Sequence, residues 1–99
     1  GKRSMHSASS RIPMLARFPA SIPADKVVTK PASLVDVAAT CLDVAGITKP
    51  TANLDGESLV KVANVESQRE FVFSQWNSGP NGQYLIVSET GNYFYLNSV

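Results

Sequence analysis

The sequence predicts a small α+β piece with one main helix and a small antiparallel sheet. Three observations predict it: apolar residues at helical spacing between Ser33 and Ala45, a C-terminal third rich in aromatic and β-branched residues, and a glycine-bearing turn inside that third. A chain of 99 residues supports one modest core, because a chain of this size buries only roughly 60–65% of its unfolded surface.

The helix is the clearest element. Ser33 followed by Asp36 predicts a capping-box start, in which the hydroxyl accepts from an early backbone N–H and the carboxylate faces the positive helix end. Leu34, Val37, Ala38, Cys41, Leu42 and Ala45 then recur at three-and-four spacing, which predicts a buried stripe over a helix spanning 33–45. Gly46 falls where a left-handed C-terminal cap belongs, with Ile47 placed to fold back on the last turn.

The flanks are less regular. Gly1–Ser10 is polar, with Ser at four positions, and reads as a loop. Ile12–Ala16 and Phe18, among prolines, suit one buried strand or extended segment, and residues 20–32 make a connection holding Pro23 and Pro31. Thr48–Gly56 is a turn-rich loop, followed by one or two helical turns over Glu57–Ala63. Glu70–Trp76, Tyr84–Glu89 and Tyr93–Leu96 read as strands. Ser78–Gly82 is a longer loop between the first two, and Thr90-Gly91-Asn92 offers a glycine for positive φ in a hairpin between the last two.

Composition and motif spacing exclude several functions. A net charge of +1, from nine Lys and Arg scattered among eight acidic residues, supports no nucleic-acid partner. The longest weakly polar stretch, Ser33–Ile47, carries Asp36 and Asp43 and is shorter than the roughly 20 apolar residues of a membrane span, so no membrane partner is expected. Cys41 is the single cysteine and His6 the single histidine, too few for a zinc site. A Cys41–His6 nucleophile pair is disfavoured because Cys41 lies on the apolar stripe, where it is expected as a small core residue. Asp55-Gly56-Glu57 lacks the spaced oxygen ligands of a calcium loop, and Gly79 and Gly82 lack the strand-turn-helix setting of a phosphate cradle.

Five ordered blocks carry a resemblance across nearly the whole chain. Gly1-Lys2 followed by Arg11-Ile12-Pro13 and Arg17-Phe18-Pro19 is similar to the segment in sulfatases where Gly-Lys precedes a glycine turn, Arg-x-Pro and a strand. Ser33–Ile47 resembles the Leu-Val-Asp helix that closes in Leu-Asp-Leu-Ala-Gly-Ile, and Leu54-Asp55-Gly56-Glu57-Ser58-Leu59 resembles Leu-Asp-Gly-x-Ser-Leu. Arg69–Gln75 resembles the Arg-x-Val-x-Ser-Glu strand, and Thr90–Leu96 the closing Thr-Gly-x-Tyr-Lys-Tyr hairpin. The chain therefore resembles a C-terminal fragment of the formylglycine-dependent sulfatases, hydrolases of the alkaline-phosphatase-like superfamily. Members are often secreted, periplasmic or lysosomal, and the compartment of this chain does not follow from its residues.

The resemblance implies an α/β parent fold, with residues 1–64 as the tail of its large domain and 65–99 as the start of the small C-terminal antiparallel sheet. It implies a sulfuric ester hydrolase whose complete form uses formylglycine and calcium and takes a sulfate-ester substrate. The formylglycine motif demands Pro and Arg where Leu42, Asp43 and Ala45 stand after Cys41, so the nucleophile and the metal ligands belong outside this chain, and the fragment alone is expected to be inactive. Lys2 is the one catalytic residue carried over, its ammonium directed at the sulfate oxygens, where a compact cation offsets charge on the leaving oxygen. His6 stands where the family has Tyr and is the second candidate for substrate binding; Arg11 is expected to anchor the loop. Gln75 replaces the usual Glu and Phe94 the usual Lys.

Two readings follow. The chain is part of a sulfatase, partnered by the rest of that chain, or it is an autonomous non-catalytic α+β binding or structural module derived from one. The first leaves the stripe of Leu34, Val37 and Leu42 uncovered in the isolated fragment, with self-association as one way to cover it.

Overall fold

The computed structural model describes residues 5, 7–48, 53–77, 80 and 82–96. They form three short helices and a three-stranded sheet, in the order α1 (Ser7–Ser10), α2 (Asp36–Val44), α3 (Leu59–Ala63), β1 (Phe71–Trp76), β2 (Gln83–Ser88) and β3 (Asn92–Leu96). The chain divides into two compact units, residues 16–69 and residues 1–15 with 70–99.

In the first unit, α2 starts three residues later than its sequence pattern suggests. The Asp36 and Val37 N–H groups bond to the Ser33 and Leu34 carbonyls at 3.0 and 3.2 Å, a tight turn that feeds the helix. The carboxylate half of the capping box forms: the backbone N–H of Ser33 donates to Asp36 Oδ2 at 2.8 Å. At the far end Gly46 has φ +76°, its N–H bonds to Asp43 O and the Ile47 N–H to Leu42 O. This is the Schellman motif, and it satisfies carbonyls that the helix would otherwise leave open.

The predicted buried stripe is not buried. Leu34 is 62% exposed, Val37 45% and Val44 46%, Leu42 is half-buried and Cys41 is exposed rather than a core residue. The side of α2 that makes contacts is polar, with Asp36 buried, Thr40 half-buried and Asp43 exposed. Asp36, Thr40 and Asp43 share one face at i, i+4 and i+7. Thr40 Oγ1 accepts from the Leu59 N–H at 2.9 Å, and the Asp43 carboxylate accepts from the Ser58 hydroxyl. Ser58 in turn caps α3, its Oγ accepting from the Val60 N–H at 3.3 Å. Helix α3 contributes Val62 and Ala63 to the small apolar core.

Gly56 explains its place in the loop before α3. A Cβ there would lie 2.1 Å from the Val35 carbonyl oxygen and 2.9 Å from Asp36 Cα, so only glycine allows the loop this close to the start of α2. Helix α3 also ends in a Schellman pattern, with the Val65 N–H on Val62 O and the Glu66 N–H on Lys61 O. Here the left-handed position is held by a β-branched residue, Val65, at φ +61°.

In the second unit β2 pairs antiparallel with both neighbours, with Phe73 opposite Ile86 and Ile86 opposite Tyr93. Side chains alternate across the sheet. Leu85 is buried on one side, while Phe71, Phe73, Ile86 and Tyr93 are exposed on the other, where Phe73 stacks on Tyr84 with ring centroids 6.0 Å apart. The β2–β3 hairpin does not use its glycine as expected, because Gly91 does not take a positive φ. Its turn is held by Ser88 instead. The Ser88 N–H bonds to Gly91 O at 2.9 Å, and the Ser88 hydroxyl accepts from the Thr90 and Gly91 N–H groups at 3.3 and 3.1 Å.

Two further expectations change. The stretch Ile12–Phe18 forms no strand and is largely exposed, with Leu15 97% and Ile12 43% exposed and Met14 and Phe18 half-buried. A strand needs a hydrogen-bonded neighbour, and none pairs with this stretch among the described residues. Within the predicted loop Gly1–Ser10, residues 7–10 make one helical turn. The predicted loops Thr48–Gly56 and Ser78–Gly82 lie partly outside the described residues.

Candidate functional site

Lys2 and His6, the two residues that sequence reasoning singles out for substrate, both lie outside the described residues. Between them sits Met5, which is described and firmly held. Its side chain is 6% exposed, its N–H donates to Gln83 Oε1 at 3.0 Å, and its carbonyl accepts from Ser10 Oγ at 3.2 Å. Met5 is thus tied to the first residue of β2 and to the end of α1. Arg11, expected to anchor the same loop, is exposed.

Among the described residues, the strongest electrostatic feature lies in the first unit. Asp36 is fully buried, and its carboxylate receives four hydrogen bonds. Oδ2 accepts from the Ser33 N–H at 2.8 Å and from Arg69 Nη1 at 2.6 Å. Oδ1 accepts from the Glu57 N–H at 2.9 Å and from Arg69 Nη2 at 2.8 Å. The guanidinium grips the carboxylate with two parallel bonds, the geometry that makes Arg–carboxylate pairs strong. Arg69 Nε also lies 3.8 Å from Glu57 Oε2. That oxygen takes the buried Ser67 hydroxyl at 2.6 Å, and Ser67 Oγ accepts the Arg69 N–H at 3.1 Å. The ring Asp36–Arg69–Ser67–Glu57 closes on itself.

Burial alone raises the Asp36 pKa, but the Arg69 hydrogen bond, the Glu57 and Ser33 N–H groups and the Arg69 charge outweigh it and hold the carboxyl below its ordinary 3.8. The hydrogen bond to Asp36 raises the Arg69 pKa, against burial, which lowers it. Both groups are therefore charged at neutral pH, and each cancels the other.

This arrangement is a strut rather than a reaction centre, since every Asp36 oxygen is already engaged. Sequence reasoning missed it by reading Asp36 as a cap and Arg69 as a strand letter. The available signal was that the Ser33–Ile47 block carries only acidic charges, Asp36 and Asp43, while the Arg69–Gln75 block opens on a basic one. Calcium does not fit these side chains: no group of three or more His, Cys, Asp or Glu is placed to hold a metal ion among the described residues. Cys41 stands on an exposed helix face with Leu42 and Asp43 behind it, without the sequence that formylglycine formation requires. Among the described residues, no helix is long and apolar enough to cross a membrane.

The ordered Lys2, Asp36, Gly56 and Arg69 blocks place the chain in a class, and comparison with known proteins agrees. The chain belongs to the sulfatase family: residues 1–81 match the family model described as N-sulphoglucosamine sulphohydrolase, C-terminal. Its similar relatives include arylsulfatase K from Bos taurus, 48% identical over 59 residues that cover 60% of this chain and 11% of that protein. Arylsulfatase K from Mus musculus is 42% identical over 72 residues, covering 73% and 13%, and that from Homo sapiens is 41% identical over 69 residues, covering 70% and 12%. The chain thus spans about a tenth of the length of these relatives. No solved structure matches it.

Proposed function

We propose that the chain is the C-terminal part of a sulfatase that hydrolyses sulfate esters, and that it contributes Lys2 to the grip on the sulfate group. The observation that carries this reading is the family match over residues 1–81, which includes the Gly1-Lys2 block together with the helix and loop blocks behind it. The ammonium of Lys2 holds the sulfate oxygens and offsets charge on the leaving oxygen as the S–O bond breaks. His6 borders the same pocket. The formylglycine nucleophile and calcium ion that the family implies come from residues outside this chain, so the chain by itself is inactive. On this reading residues 1–64 close the large α/β domain and 65–99 open the small sheet, and the rest of the polypeptide covers the apolar side of α2.

The exposure of Val37, Cys41 and Val44 supports this over an autonomous module, which would bury its own helical stripe. In the complete enzyme, Lys2→Ala is expected to lower kcat/KM for an aryl sulfate by on the order of a hundredfold, the loss of one anion-stabilising donor. Unchanged kinetics would remove Lys2 from the site. A compact monomer of the 99-residue chain that binds no hydrophobic dye in sedimentation and fluorescence runs would favour the module.

A further inference from the structure

We propose that the Lys26–Val27 bond is a processing site for a protease of trypsin-like specificity, and that the two pieces stay together after the cut. Residues 23–29 run exposed and without helix or strand. Val27 is 88% exposed, and among the described residues none from 23 to 28 makes a hydrogen bond or an ion pair. Asp25 holds a left-handed φ of +54°, a conformation that costs an L residue energy, so drawing it straight in a protease groove releases strain. A protease takes its substrate as an extended strand bonded along the backbone, and a segment with no bonds of its own yields to that grip without unfolding.

The other cations are withheld by their surroundings. The chain has nine Lys and Arg, the side chains that an acidic specificity pocket takes. Lys30 and Lys49 each precede a proline, whose ring obstructs the cut. Arg11 follows directly on α1 and stands before Ile12-Pro13. After Arg17, the Phe18 carbonyl accepts the Ser21 and Ile22 N–H groups at 3.0 and 2.7 Å. Lys61 lies within α3, and Arg69 is clamped to Asp36. Lys2 and Arg3 lie outside the described residues. Among the described residues this leaves Lys26.

Hydrolysis breaks the C–N bond between Lys26 and Val27. Water gives its hydroxyl to the Lys26 carbonyl carbon and its proton to the Val27 nitrogen, so no oxidant or reductant takes part. On one side of the cut the Ser21 carbonyl still accepts from Asn64 Nδ2 at 2.8 Å, and the Met5 N–H still bonds to Gln83. On the other side Pro31 is buried and Asp36 stays locked to Arg69.

The test is limited digestion with trypsin, applied to the 99-residue chain and to the complete enzyme and read by intact mass and N-terminal sequencing. In both, the cut that exposes Val27-Val28-Thr29-Lys30 as a new N-terminus should precede any cut after Arg11, Arg17, Lys61 or Arg69. Lys26→Arg should keep this cut, and Lys26→Gln should slow it by about a hundredfold or more, because the charge that the pocket reads is gone. Urea below the unfolding transition should change the rate by less than about twofold, relative to a small peptide substrate in the same solution, because the cut does not wait on opening. In the 99-residue chain, pieces 1–26 and 27–99 should co-elute in size exclusion and part only in strong denaturant.

An earlier cut after Arg11, Arg17, Lys61 or Arg69, or a rate that climbs with urea, would overturn the inference. Resistance of the bond in the complete enzyme would overturn it too, by placing residues 23–29 under the rest of the polypeptide. Pieces that separate without denaturant would overturn their retention. None of these readouts uses turnover, so failure of the role assigned to Lys2 would leave them unchanged.

Discussion

Two adjacent sides of α2 meet opposite fates. The side bearing Asp36, Thr40 and Asp43 is closed by hydrogen bonds to Arg69, Leu59 and Ser58. The side bearing Val37, Cys41 and Val44 stands open. A short amphipathic helix ordinarily gains its stability by burying its apolar stripe, yet this one is held by its polar face. The contacts that α2 makes are thus charge and capping bonds, and its apolar stripe is uncovered among the described residues.

The comparison breaks most easily at Asp36. Asp36→Ala leaves the Arg69 guanidinium buried without its partner and frees two backbone N–H groups, so urea unfolding of the chain should show a loss of roughly 3–5 kcal/mol. A loss under about 1 kcal/mol would mean that the polar face is not what holds the helix.

Acid tests the same face without mutation. The native Asp36 pKa lies below its ordinary 3.8, so the unfolded chain binds the proton first as pH falls. Its contribution is complete above about pH 5 and disappears as pH drops through the depressed native value. Melting temperatures followed from pH 6 downward should therefore fall, and Asp36→Ala should flatten that fall.

A smaller effect of opposite sign is expected at the end of α3. Val65 holds a left-handed conformation at φ +61° with its side chain exposed, and Gly46 shows the same motif built without strain. Val65→Gly should stabilise the chain by about 0.5–1 kcal/mol in the same urea experiment.

The smallest effect is expected on the open side. Val37→Ser should change the stability of the 99-residue chain by less than about 0.5 kcal/mol, as ordinary surface substitutions do. In the complete enzyme the same change should cost more, by about 1 kcal/mol or above, if the rest of the polypeptide covers this side. Equal effects in the two settings would place Val37 in water in both.

The sequence made local features legible and distant ones opaque. Gly46 announced the end of α2 because its left-handed cap is settled by neighbours within four residues. The strands were legible to within a residue from their aromatic and branched composition. Arg69 was not legible as the partner of Asp36, because a pair 33 residues apart leaves no periodic trace. The Ser88 turn was hidden by Gly91, which looked like the special residue while a hydroxyl did the holding. The apolar stripe was read correctly as a pattern and wrongly as a core, since a pattern shows that a face is apolar and not which body covers it. The resemblance to sulfatases pointed to Lys2 and His6, which lie outside the described residues.

The span between Asp36 and Arg69 also sets an order of events on the ribosome. The carboxylate at the start of α2 emerges 33 residues before the guanidinium that neutralises it, an interval of about 2–7 s at a translation rate of about 5–20 residues per second. For that interval Asp36 lacks the guanidinium that grips it. The unit is completed from its trailing end, when residue 69 arrives.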